Sequence, residues 1–474
     1  MKKFDSKAKP AAQVVGIDDI SVYVPRLYLP LAGEFSRQRG IDPGKLLKGI
    51  GIEKMAVADA HEDAATMAAN ALLDLMRRSG LRPEDIDKIY VGTESAPDEA
   101  KALGTYVIGM MEQVYGKGSF HECETVEFKA ACIGTTFALE SLCYWAAFQD
   151  RMEDGGAEVD LEREKAGVVI ASDIARYPLS SSGEYTQGAG SVALLVKRDP
   201  RLLAIEQVWG AFSRDENDFF RPMGCATAVV NGKHSNQCYL DAVQGAFDSF
   251  AARAGRRGII RPPEGCCVTD FMDRILFHIP YPRMIEYASA AIFRHDWKRS
   301  SKRKKSRQQE AVEAEIGDEP LAEEFRDTGE LQAAEADYSR RFSRSRTFLQ
   351  AFEAKVKDTA LLSRQVGNIY TGSIYLGLAS LMEAQKLMPG ERLGFAAYGS
   401  GCSALFFSAT VQPRAEEVAG LGLLQRLQER REVSLADYER LHEGKAERSI
   451  LKPAGEFILA GVDGQGYRHY EYIE

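Results

Sequence analysis

Apolar positions recur along this chain in two spacings, and the spacings alternate. Val14 to Val24 is an apolar, β-branched run that stops at Pro25 and predicts a first strand. Asp63 to Arg78 (DAATMAANALLDLMRR) places its apolar residues at helical spacing and closes on Gly80. A strand follows over Asp85 to Thr93 and a helix over Lys101 to Val114. Phe128 to Leu142 (FKAACIGTTFALESL) reads as a strand end, a tight turn and a helix whose first residue is Cys132. Strands at 166–172 and 191–196 complete the set. The same order then returns. Leu203 to Val208 predicts a strand, Cys238 to Arg253 a helix, Arg274 to Ile279 a strand and Met284 to Arg294 a helix. Gly367 to Met382 predicts a turn and helix, and Leu393 to Ala397 and Ala404 to Ala409 two closing strands. Strands alternating with helices predict a layered α/β fold. The repeated order predicts two duplicated halves, 14–198 and 199–411, behind a polar lead over 1–13.

Two stretches depart from this order. Lys298 to Arg307 (KRSSKRKKSR) is strongly basic, an acidic stretch runs on to Glu324, and mixed charge continues to Arg346. This predicts a surface insertion over 298–346, partly disordered or a solvated helix, whose basic run could also hold a phosphate. Beyond Pro413 an amphipathic extension over 412–474 leads to a β pair at Phe457 to Tyr472, turned at Asp463-Gly464. Its expected use is packing or subunit contact.

Composition narrows the function. The chain has 474 residues, 45% of them hydrophobic, enough to bury a core shared by two fused units. A net charge of −9 argues against bulk binding to nucleic acid or an anionic membrane. Eight cysteines without paired zinc spacing suit a reduced, cytoplasmic chain. The opening MKKFDSKAKPAA has no apolar segment behind it, so no signal peptide is expected, and no apolar run is expected to span a bilayer.

Three positions carry candidate chemistry. Cys132, among the small residues Ala130, Ala131 and Gly134, would meet unpaired backbone N–H groups and the helix dipole, which favour the reactive thiolate. A buried structural cysteine is the plain alternative. Glu94 ends an apolar strand, where a charge costs solvation unless it is used or paired; alternatively it caps a helix. His278 ends a second such strand and could be a core histidine. Asn368 stands at the start of the second-half helix, where it could simply be an N-cap. A duplicated α/β fold brings equivalent strand ends to one crevice. There the set could take up an acyl group on Cys132, move a proton through Glu94, and hold or polarise a carbonyl with His278, while Asn368 orients His278 or a bound water.

Eight stretches in one order carry a resemblance: VGTESAPDEAKA at 91–102, AACIGTTFAL at 130–139, ASDIARY at 171–177, GEYTQGAGSVALLV at 183–196, DFFRP at 218–222, FHIPYPRM at 277–284, GNIYTGSIYLGLASL at 367–381 and YGSG at 398–401. Together they resemble the 3-hydroxy-3-methylglutaryl-CoA synthases of the thiolase superfamily. The resemblance implies the layered αβαβα thiolase fold and a ping-pong condensation. Acetyl-CoA would acetylate Cys132, Glu94 would deprotonate the methyl, and the carbanion would attack acetoacetyl-CoA held near His278. Water would then release hydroxymethylglutaryl-CoA, an early step of mevalonate and isoprenoid synthesis.

It further implies that Asp173, Asp218, Phe219, Arg283, Asn368 and Ser400 serve substrate binding, with Arg283 where the family often has a CoA-contacting Lys. No metal or prosthetic group is implied, coenzyme A thioesters being the substrates, and the expected assembly is a homodimer. One departure is Ile133, where the family usually has a Tyr; it would remove a hydroxyl from the site wall. Rival readings are a ketoacyl synthase, against which Glu94 argues, a β-branching enzyme served by an acyl carrier protein, and a non-catalytic partner of a thiolase.

Overall fold

The computed structural model describes residues 14–153, 165–299, 305–325, 327–418 and 420–474. The polar lead and residues 300–304 of the basic run lie outside them. Nine strands form one mixed sheet: β1 Val15–Tyr23, β2 Ile86–Gly92, β3 Glu124–Phe128, β4 Ala166–Ile174, β5 Ala189–Arg198, β6 Leu203–Ser213, β7 Arg274–Phe277, β8 Arg392–Gly399 and β9 Ser403–Val411. Their order across the sheet is β7-β8-β9-β6-β1-β5-β4-β2-β3. Counted outwards from the join between β1 and β6, the first half runs β1-β5-β4-β2-β3 and the second β6-β9-β8-β7. The predicted duplication is thus visible in the strand order, with one strand missing from the second half. At the join, β1 and β6 pair antiparallel only through Gly16 with Ala204 and Ile17 with Leu203.

Two helices, Gly134–Glu153 and Ser373–Glu383, lie between the halves of the sheet and share one core. Leu139 and Leu142 of the first pack there with Tyr375, Leu376 and Leu378 of the second, and Thr136 Oγ1 meets the Tyr375 hydroxyl at 2.9 Å. On the outer face of the first half lie Ala64–Ser79 and Leu103–Tyr115; Gly232–Arg257 and Met284–Arg299 cover the second. The result is five layers, helix, sheet, helix, sheet, helix. The Ala-rich Ala64–Ser79 helix can lie close because alanine takes up little space. Its start is fixed by the Asp63 carboxylate, which accepts the Thr66 N–H at 2.8 Å. The stretch 131–149 is long and apolar enough to cross a bilayer, contrary to expectation; it is the central helix and is half buried between the sheet layers.

The insertion differs from its prediction. Where the first half continues into β3, the second builds three helices, Arg307–Ile316, Thr328–Phe342 and Arg346–Lys355. Their charges point outwards, but Val312, Tyr338, Phe342 and Phe348 are fully buried against Phe293 and Trp297. The high charge density hid a sparse apolar stripe, Tyr338 with Phe342 and Phe348 with Phe352, each at i,i+4 spacing. The C-terminal strand pair, Glu456–Val462 with Arg468–Ile473, lies on the Ala64–Ser79 helix. Asn70 there exchanges two hydrogen bonds with the Phe457 backbone, at 2.8 and 3.1 Å. The small sheet of Leu27–Pro30, Lys54–Val57 and Arg431–Glu432 went unpredicted, because strands this short carry no clear periodicity.

Candidate active site

Two glycines let the strands reach the central turn. A Cβ on Gly92, at the end of β2, would lie 2.2 Å from the Thr135 backbone nitrogen. One on Gly399, at the end of β8, would lie 2.7 Å from the Ala130 carbonyl oxygen. With no side chain in the way, the residues after these glycines, Thr93-Glu94 and Ser400, come up against the Cys132 turn. Ala131 adopts φ 47°, which turns the chain sharply so that Cys132 stands ahead of the helix, whose first residue is Gly134.

The Cys132 thiol donates to Glu94 Oε1 at 2.8 Å. Enclosure raises the Glu94 carboxyl to about 8, and the nearby Asp173 carboxylate adds to the effect. The Cys132 thiol is pushed well above its ordinary value by the same enclosure and by Glu94. The expected thiolate is therefore not the resting form. Two residues short of the helix, desolvation and a neighbouring carboxylate outweigh the helix dipole.

Asp173 is fully buried behind the pair and lies outside the cavity lining. Its carboxylate accepts the Glu94 N–H at 2.7 Å, the Thr93 and Ser95 hydroxyls at 3.1 and 2.9 Å, and the Thr371 N–H at 3.1 Å. It ties the Glu94 loop to the turn of the other half. Asp218 is likewise buried and accepts from Ser235 Oγ at 2.9 Å, the Tyr398 hydroxyl at 2.8 Å and the Gly401 N–H at 2.9 Å. Each oxygen of these two carboxylates already has a protein donor, and neither residue lines the cavity.

Cys132, His278, Asn368, Ser400 and Phe219 line one cavity of about 130 Å³. That volume admits the acyl end of a thioester and not a whole coenzyme. His278 is buried, its Nδ1 has no hydrogen-bond partner among the described residues, and burial lowers its pKa to about 3. It stands as a neutral imidazole. Asn368 spends its Oδ1 on the Tyr370 N–H and the Ser373 hydroxyl, both at 2.8 Å, and its N–H on the Thr186 carbonyl. No hydrogen bond joins it to His278 among the described residues. Its oxygen does local capping work, and its side chain faces the cavity.

Arg283 sits half-exposed outside the lining, paired with Glu286 at 2.7 Å. Ile133 is fully buried in the main core and is not among the residues that line the cavity. Tyr177 and Tyr370 escaped the sequence reading, although both lie in the stretches quoted above. With Phe219 they surround the Cys132 side, ring centroids 6.1 to 6.4 Å apart. An aromatic residue just past a strand or turn reads as core, and only its contact with the thiol reveals more.

Two other groups bring three ligand-type side chains within 4.8 Å of one another, Glu216-His234-Cys238 and His61-Glu62-Glu456. Hydrogen bonds and ion pairs from Arg214, Tyr23 and Arg26 already engage them, and none of the six residues lines the cavity.

The family model for the hydroxymethylglutaryl-coenzyme A synthase N-terminal region matches residues 11–200, and that for the C-terminal region matches 203–453. A hydroxymethylglutaryl-CoA synthase of Haloferax volcanii is 33% identical over 471 residues, covering 97% of this chain and 99% of its own. That of Enterococcus faecalis is 33% identical over 432 residues, covering 90% of each. A solved structure of MvaS in complex with 3-hydroxy-3-methylglutaryl coenzyme A superposes with a TM-score of 0.80 at 31% identity, covering 98% of this chain and all of that one.

Proposed function

This chain belongs to the hydroxymethylglutaryl-CoA synthase family of acyl-condensing transferases, and we propose that Cys132, Glu94 and His278 carry the condensation of acetyl-CoA with acetoacetyl-CoA. The carrying observation is the 2.8 Å contact to Glu94 from the thiol of Cys132, which lines one cavity together with His278.

As Cys132 attacks the acetyl carbonyl, its proton passes to Glu94. Glu94 returns that proton to the departing CoA sulfur, and the carboxylate left behind is free for the next step. It takes a proton from the acetyl methyl, and the resulting carbanion forms a bond to C3 of acetoacetyl-CoA. The new alkoxide takes the proton back from Glu94, with His278 donating a hydrogen bond as a neutral group. Water then cleaves the Cys132 thioester and regenerates the thiol.

Phe219, Asn368 and Ser400 shape the acyl pocket, Arg283 meets the coenzyme at the rim, and Asp173 and Asp218 hold the loops. The division into halves at 14–198 and 199–411 follows the strand order. A homodimer is supported by the unpaired edge strand β3 and by Val126, Tyr144 and Phe148, which are 38 to 46% exposed. A cytoplasmic setting suits eight unpaired cysteines. The mevalonate route is the natural use of the product.

The test is mass spectrometry of the Cys132 peptide together with a condensation assay. Glu94→Ala should retain part of the acetyl adduct and lose condensation by about 10³-fold. Condensation at the wild-type rate in that variant would remove Glu94 from the role of base. Running the loading step in parallel with an acetylated carrier protein asks whether donor acyl groups arrive on CoA. Loading only from the carrier protein would move the chain to the β-branching reaction.

A further inference from the structure

Phe219–Phe220 pairs antiparallel with Val229–Val230, and the hairpin so formed brings two residues of the second half to the cavity wall. Its root is firm. Asp218 is bonded to Ser235, Tyr398 and Gly401, and its carbonyl accepts the Asn231 N–H at 2.9 Å. Its inner face is part of the site, since Phe219 and Val230 line the cavity. Its outer face is free: Phe220, Met223 and Val229 are 45, 82 and 52% exposed. Near the tip, Arg221 Nη2 donates to the backbone carbonyl of Glu94, across the two halves.

That bond completes a clamp. The Glu94 peptide gives its N–H to Asp173 and its C=O to Arg221. The titratable groups facing the Glu94 carboxyl are Cys132 from the central turn, Asp173 from β4, Tyr177 and Tyr370 from the aromatic wall, and Arg221 from the hairpin. Asp173 disfavours ionisation of Glu94, and Arg221 supplies the positive charge that favours it.

We propose that Arg221 is a positioning residue for the condensation step, fixing the Glu94 peptide from the opposite half and supplying the cation that stabilises the ionised base. The proposal rests on the reading of Glu94 as the base.

The experiment measures single-turnover condensation against pH, on enzyme whose Cys132 has first been acetylated, for wild type, Arg221→Lys, Arg221→Gln and Glu94→Gln. Thermal melting checks that each variant is folded. In Arg221→Gln the rising acid limb should move up by about one pH unit, with the rate largely recovered at high pH. Arg221→Lys should hold the wild-type limb. A loss equal at every pH, or an unmoved limb, would overturn the proposal while leaving Glu94 as base. Condensation surviving in Glu94→Gln would instead overturn the reading beneath it.

Discussion

The two halves place different residues beyond matching strands and around matching turns. Two residues past the end of β2 comes Glu94, and the turn before the first-half central helix carries Cys132. Directly after β7 comes His278, and the segment leading into the second-half turn carries Asn368. The backbones agree closely enough that each turn holds a non-glycine residue at positive φ, Ala131 at 47° and Tyr370 at 42°. Glu94 and His278 both meet an enclosed, poorly solvated site, and burial moves them in opposite directions, to about 8 and about 3. One low-dielectric environment thus favours the neutral form of both. Their chemistry then differs by residue type: an acid that can hold and return a proton near neutral pH, and a base too weak to be anything but a neutral hydrogen-bonding group.

The comparison breaks most severely at Cys132, which has no nucleophilic counterpart in the second half. Cys132→Ala should abolish the acetyl adduct and lower turnover by about 10³-fold or more, read by peptide mass and by condensation rate. His278→Ala should spare acetyl loading, slow condensation by about 10²-fold, and raise the KM for acetoacetyl-CoA. In wild type the condensation rate should climb with pH to half its maximum near 8, as Glu94 ionises, and show no limb from His278 across the working range.

Stability should separate the halves by sign. Glu62, buried beside Tyr23 and Glu456, is raised to about 7 by burial. The folded state therefore keeps a proton that the unfolded chain releases. Its contribution is complete below the ordinary carboxyl value near 4.5 and is lost as pH rises through 7. Glu62→Gln should thus spare the protein on the order of 2 kcal/mol of the stability that wild type loses between pH 5 and pH 8, measured by denaturant melts. His278 runs the other way. Its contribution is present above about 6.5 and is lost as pH falls towards 3, and His278→Asn should flatten that acid side. The smallest expected effect on rate is at the insertion. Val312→Ala should cost on the order of 1 kcal/mol of stability and leave condensation unchanged.

Much of this was legible in the chain. Alternation of strand and helix spacing located eight of the nine strands of the main sheet and the end of the other, β3, because a buried strand or helix must show its apolar face in its own periodicity. The duplication was legible for the same reason. The charged segment was not, since Val312, Tyr338, Phe342 and Phe348 are too few among the charges around them to set a mean.

At the site, residue type at a strand end marked Glu94 and His278, and residue type at a helix start marked Cys132, as candidates before any contact was known. The contacts themselves belonged to the tertiary structure. The sequence could suggest a reactive thiolate, but the protonation of Cys132 and Glu94 depends on enclosure and on Asp173, which lies 41 residues beyond Cys132 and is brought up beside the pair by β4. Likewise nothing local to DFFRP points to Glu94, because a hydrogen bond across 127 residues leaves no mark on the periodicity of either segment. Periodicity records which face of an element is buried. Distance, desolvation and charge at a site are set by what the whole fold packs around it.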